Sequence, residues 1–264
     1  MIKMIVMDLD KTLLKSDGSI SKYTENTLKK YKGNGVKIVF ATARSEKSAS
    51  DFIESLKPNA IIANGGSIIN AEDEIIFHSC IDKDIARSVF DNLIKSESVE
   101  YITTDTDGGY YVNKLVDEDD PSWKDYLPVK YMDFSKECNC EIYKITVETS
   151  DINIVQEIKQ SFPSIDYVGF SGENWFQFFN KDANKWNGIM RLASFYKFSL
   201  EEVVVFGDDY NDIEMIKNAG LGIAVKNAIP EVKAVADFIC NSNDNDGIAK
   251  WLNANKDLFN LDRG

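Results

Sequence analysis

Met4-Ile5-Val6-Met7-Asp8-Leu9-Asp10-Lys11-Thr12 opens the chain with an apolar run that stops at a carboxylate and meets a second carboxylate two residues on. A short apolar run bounded by a polar cluster predicts a strand buried on both faces, as parallel sheets require. Runs of the same kind, rich in β-branched residues, recur at 36–40, 60–63 and 203–206. Between the first two, residues 24–32 carry Leu28 and Tyr31 at helical spacing, and Gly33 and Gly35 supply the stop. Phe52, Ile53 and Leu56 repeat the helical spacing before Pro58, and a helix over 213–218 precedes a further strand at 220–225. Repeated βα units predict an α/β fold with a doubly wound parallel, Rossmann-like sheet, whose site lies at the carboxyl ends of its strands.

The middle of the chain reads differently. Alternating stretches such as Tyr110-Tyr111-Val112 and Tyr143-Lys144-Ile145-Thr146-Val147-Glu148 join helical patterns over 85–94 and 152–162. An inserted α+β domain over 82–183, splitting a core domain of 1–81 and 184–264, is the expected organisation.

Composition narrows the function. The chain has 264 residues, 44% of them hydrophobic and 28% charged, and no apolar run reaches the ~20 residues that span a bilayer. With 43 acidic and 30 basic side chains the net charge is -13, which disfavours nucleic acid and anionic lipid as partners. Cys80, Cys138, Cys140, Cys240 and the single histidine, His78, show no zinc-site spacing, and four thiols are too sparse for a disulfide scaffold. A reducing cytoplasm is the expected location, and His78 receives no role.

Three clusters at predicted strand ends carry chemistry. Asp8 and Asp10 offer one carboxylate to attack and another to handle protons. Ala41-Thr42-Ala43-Arg44 offers a hydroxyl, backbone N–H groups near a helix start and a guanidinium, which is equipment for an anion. Gly207-Asp208-Asp209-Tyr210-Asn211-Asp212 packs three carboxylates and an amide before a helix, and hard oxygen donors at that density suit Mg2+. Alone, the first cluster is a solvated turn and the last an acidic helix start. Their joint delivery to the ends of one sheet makes a site.

In this order the motifs resemble the haloacid dehalogenase (HAD) superfamily, specifically its Cof-type branch with a type IIB α/β cap inserted between the second and third motifs. The family's Asp-x-Asp-x-Thr is matched by residues 8–12, its strand-terminal Thr or Ser by Thr42, and its Gly-Asp-x-x-Asn-Asp by residues 207–212. Its lysine falls in Asn180-Lys181-Asp182-Ala183-Asn184-Lys185-Trp186, where Lys185 stands directly before a helical pattern and Lys181 in the loop ahead of it. Lys11, Ala43 and Trp186 depart from the family, which often carries Gly at each of these places.

The resemblance implies Mg2+-dependent hydrolysis of a small phosphorylated metabolite, a sugar phosphate by default. Asp8 would be the nucleophile and Asp10 the general acid and base. Asp8, Asp208 and the Asp10 carbonyl would hold the metal, with Asp212 supporting metal-bound water or Lys185. Thr42, Ala43, Lys185 and Asn211 would bind the phosphoryl group. A sugar phosphomutase or phosphotransferase, or a non-catalytic phosphate-ester sensor, are the alternatives. Asp105-Thr106-Asp107-Gly108-Gly109 and Asp244-Asn245-Asp246-Gly247 lack a complete calcium ladder and read as turns. Asn64-Gly65-Gly66 reads as a strand-to-hairpin turn, with Asn64 a second candidate to face substrate. The aromatic cluster Trp175, Phe176, Phe178, Phe179 reads as core.

Overall fold

The computed structural model describes residues 1–117, 119, 120, 123, 126 and 128–259. In chain order the elements begin β1 (Met4–Met7), α1 (Lys22–Gly33), β2 (Lys37–Ala41), α2 (Ser50–Leu56), β3 (Ala60–Ala63), β4 (Ile68–Ala71) and β5 (Glu74–His78). There follow α3 (Lys83–Ile94), β6 (Val99–Thr106), β7 (Gly109–Val112), β8 (Val129–Tyr131), β9 (Ile142–Thr149), α4 (Ile152–Ser161), β10 (Ile165–Gly169) and β11 (Trp175–Asn180). The chain continues with α5 (Lys185–Tyr196), β12 (Val203–Gly207), α6 (Ile213–Asn218), β13 (Leu221–Ala224), α7 (Pro230–Val235), β14 (Phe238–Ile239) and α8 (Gly247–Ala254).

The elements separate into two compact units, one of Met1–Phe77 with the chain from Asn184 onward, the other of His78–Ala183. The first holds an eight-stranded sheet of order β14-β13-β12-β1-β2-β3-β4-β5. Strands from β14 to β3 pair in parallel and β4 turns back antiparallel on β3. In β1, β3 and β12 every residue is buried, which is why their sequences are unbroken apolar runs. Burying each Val or Ile stabilises the fold by roughly 1.5–3 kcal/mol. Ile5 pairs with Val204 on one side and Ile38 on the other, so the carboxyl ends of the three central strands finish level.

The second unit holds a six-stranded sheet, β10-β11-β9-β6-β7-β8. Its apolar core includes Ala86, Val89, Phe90 and Leu93 of α3, Val155 and Ile158 of α4, and Ile102, Ile145, Val147 and Phe178 from the strands. Phe178 of the aromatic cluster is core, whereas Trp175 stacks on Tyr101 with ring centroids 6.2 Å apart. Asp105 to Gly109 closes the β6–β7 hairpin. Cys138 and Cys140 are joined in a disulfide, which the cysteine count alone did not anticipate. No helix among the described residues is long and apolar enough to cross a membrane.

Candidate active site

The site is built at the carboxyl ends of β1, β2 and β12. The Asp8 N–H donates to Phe206 O at 3.0 Å, one step beyond the β1–β12 ladder, so Asp8 is held where the strand ends and is 6% exposed. The backbone then makes a wide turn over Leu9–Leu13, closed by Leu13 N–H to Asp8 O and Leu14 N–H to Leu9 O. Asp10 therefore lies in a turn and not on the strand, and it is exposed. Lys11 takes φ 55°, the left-handed region that glycine enters freely, which accounts for the glycine common at this place in the resembling family.

Lys185 occupies the first turn of α5, whose N-cap Asn184 accepts from Asn187 N–H at 2.8 Å. The residue is 2% exposed, and its ammonium donates to Asp8 Oδ1 at 2.6 Å and to Asp212 Oδ1 at 2.7 Å. Lys181 is exposed and belongs to the other unit. The second Asp212 oxygen accepts from the N–H groups of Asp208 and Asp209 at 2.9 and 3.3 Å, folding the 207–212 turn around that carboxylate. A Cβ on Gly207 would stand 2.5 Å from Asp212 Cβ, so the close turn depends on glycine there. Thr12 Oγ1 donates to Asp208 Oδ1 at 2.6 Å, a contact that the Asp-x-Asp-x-Thr spacing carries but that reading for carboxylates alone overlooks. Asn211 sits partly buried in the same turn.

At the end of β2, Thr42 is fully buried and its hydroxyl accepts from Arg44 N–H at 3.0 Å. Arg44 grips Asp10 with two bonds, Nε to Oδ2 at 2.9 Å and Nη2 to Oδ1 at 2.7 Å. The guanidinium read from sequence as an anion binder thus engages the candidate general acid. Ala43 is partly buried between them. Asn64, in the turn after β3, adopts φ 49°, and its buried Oδ1 has no hydrogen-bond partner among the described residues.

The electrostatics are unbalanced. Burial pushes Asp8 well above the ordinary carboxylate range; Lys185 opposes this, and Asp212, Asp208 and Asp10 add to it. Burial, then Asp212, raises Asp208 to about 7 against the opposing Thr12 hydrogen bond and Lys185. For Lys185 burial works downward, but the charges and hydrogen bonds of Asp212 and Asp8 outweigh it and the net shift is upward. Asp8, Asp208 and Asp212 bring carboxylate oxygens within 4.8 Å of one another. Three buried carboxylates facing one ammonium call for further positive charge, and an all-oxygen donor set fits a hard divalent cation.

Comparison with known proteins agrees with this architecture. The family described as haloacid dehalogenase-like hydrolase matches residues 5–252. Phosphatase YwpJ of Bacillus subtilis is 28% identical over 95% of this chain and 99% of its own. The 5-amino-6-(5-phospho-D-ribitylamino)uracil phosphatase YcsE of the same organism is also 28% identical, over 95% of this chain and 94% of its own. The solved structure of BT1666 from Bacteroides thetaiotaomicron, described among phosphatases of the HAD superfamily, matches with a TM-score of 0.82 at 25% identity, covering 99% of this chain and 96% of that one. The chain belongs to the haloacid dehalogenase-like hydrolases, in their Cof-type branch, and is a phosphatase.

Proposed function

We propose that this phosphatase hydrolyses small phosphate monoesters, sugar phosphates first among them, through an aspartyl-phosphate formed on Asp8. The observation that carries the proposal is Lys185 bridging Asp8 and Asp212, all three side chains buried. The ammonium holds the attacking carboxylate in place and offers a donor to an incoming phosphoryl oxygen. Asp8 Oδ attacks phosphorus and the ester oxygen leaves. Asp10, half-exposed and oriented by Arg44, donates a proton to that oxygen, then removes one from the water that cleaves the acyl phosphate. Thr42, the backbone beside Ala43, Lys185 and Asn211 bind phosphoryl oxygens.

Asp8, Asp208 and the Asp10 carbonyl would hold Mg2+, which neutralises charge between carboxylate and phosphate when bound. Both oxygens of Asp212 already accept hydrogen bonds, so its part is to fix Lys185 and the 207–212 turn. The His78–Ala183 unit is the cap that selects the leaving group. The ribityl phosphate in the name of YcsE places polyol phosphates beside sugar phosphates in the substrate panel.

The test is phosphate release from such a panel with Mg2+, with and without chelator. Mass spectrometry of acid-quenched enzyme then looks for phosphate on Asp8. Release of one phosphate per ester consumed is expected, whereas an isomeric ester with little free phosphate would assign a mutase. Full turnover by a metal-loaded Asp8→Asn protein, shown free of deamidation, would sink the mechanism.

A further inference from the structure

In the His78–Ala183 unit, the chain's one histidine belongs to a second constellation. His78 Nε2 lies 3.1 Å from Glu141 Oε2 and 3.5 Å from Cys80 Sγ, and the three donor atoms all fall within 4.8 Å of one another. We propose that His78, Cys80 and Glu141 form a binding site for a borderline divalent cation of the zinc class, tying the segment that enters the second unit to the start of β9.

Bond lengths support the assignment. Tetrahedral zinc, with Zn–N and Zn–O near 2.1 Å and Zn–S near 2.3 Å, sets its nitrogen and oxygen ligands about 3.4 Å apart and its nitrogen and sulfur ligands about 3.6 Å apart. The observed 3.1 and 3.5 Å approach those edges without rearrangement. Thiolate and imidazole favour zinc over magnesium, the reverse of the all-oxygen set around Asp8. The side chains of His78 and Glu141 are 38% and 52% exposed, so an ion can reach them and water can fill a fourth position.

The donors are also held. Ile81 N–H donates to Ile142 O at 2.8 Å, Asn180 Nδ2 to Cys80 O at 3.2 Å, and Glu141 N–H to Asp107 Oδ1 at 3.0 Å. Asp107 N–H returns a bond to Glu141 O at 3.2 Å, and Tyr143 packs edge-on against the imidazole with centroids 5.4 Å apart. These bonds fix the backbone of the residues that carry the donors. An exposed ion pair alone would leave unexplained why a thiol and a carboxylate converge on the same ring nitrogen. Glu141 lies roughly 60 residues beyond His78 and Cys80 in sequence, so the pairing of Ile81 with Ile142 is what brings it beside them.

The full-length protein, prepared without thiol reductant and kept in excess Mg2+, is titrated with zinc chloride while its sole imidazole is followed by NMR. One equivalent should shift the imidazole resonances and survive gel filtration. Cobalt(II) should produce a thiolate-to-metal charge-transfer band, since Cys138 and Cys140 are joined and Cys240 is buried. Cys80→Ser should abolish that band and weaken zinc binding by more than about tenfold, and His78→Gln should weaken it similarly. Unmoved imidazole resonances in the wild-type protein would overturn the proposal, as would a thiolate band that persists in Cys80→Ser.

Discussion

Lys185 sets one ammonium against three buried carboxylates, and its removal tests how far the site depends on that charge. Lys185→Met leaves oxygens of Asp8 and Asp212 without their donor, so urea unfolding in metal-free buffer should show a loss of about 3–5 kcal/mol, with turnover abolished. The pH dependence follows from Asp208. Its folded value of about 7 stands above the unfolded ~3.9, so the folded protein keeps a proton that the unfolded chain releases. That contribution to stability is complete below about pH 4 and is lost as pH rises toward 7. The raised Asp8 acts in the same direction. Metal-free protein should therefore lose melting temperature between pH 4.5 and 7, and Asp208→Asn should flatten the decline. A wild-type profile as flat as the variant's would show that these carboxylates carry no burial penalty. Asp8 and Asp208 were legible in the sequence because each stands at the end of an apolar run, whereas Lys185 was picked out through the family resemblance, which sets a lysine just before a helical pattern. The Arg44–Asp10 grip was not legible, since nothing local specifies a partner 34 residues away.

Helix α5 matters through its first turn, because that turn aims Lys185. Gly66 has φ 121°, and a Cβ there would lie 2.5 Å from Asn184 O and 2.7 Å from Asn184 N. Gly66→Ala should therefore destabilise the protein by about 3 kcal/mol or more and lower kcat, as measured by urea unfolding and phosphate release. Asn184→Ala removes the side-chain cap, so a loss of about 1 kcal/mol with a smaller effect on kcat is expected. The central strands could be read as apolar runs because both their faces are buried. β4 and β5 could not, because their burial is mixed and the short runs 68–71 and 74–78 carry no clear period.

At the scale of the whole molecule, a protein of net charge -13 acts on an anionic ester, so long-range repulsion opposes encounter. Raising monovalent salt from low to physiological strength should increase kcat/KM for a phosphate monoester by roughly severalfold at saturating Mg2+. A fall would mean that local positive potential around Lys185 and Arg44 governs approach. The order of the chain carries a different consequence. It leaves the first unit once, after Phe77, and re-enters it at Asn184, a single residue before the buried lysine. The intervening hundred-odd residues are a detour that starts from the edge strand of the large sheet and ends one residue before Lys185. Evolution can exchange such a detour wholesale, and so can an engineer: a chimera carrying a relative's segment between Phe77 and Asn184 should inherit the donor's ester preference while retaining the recipient's chemistry.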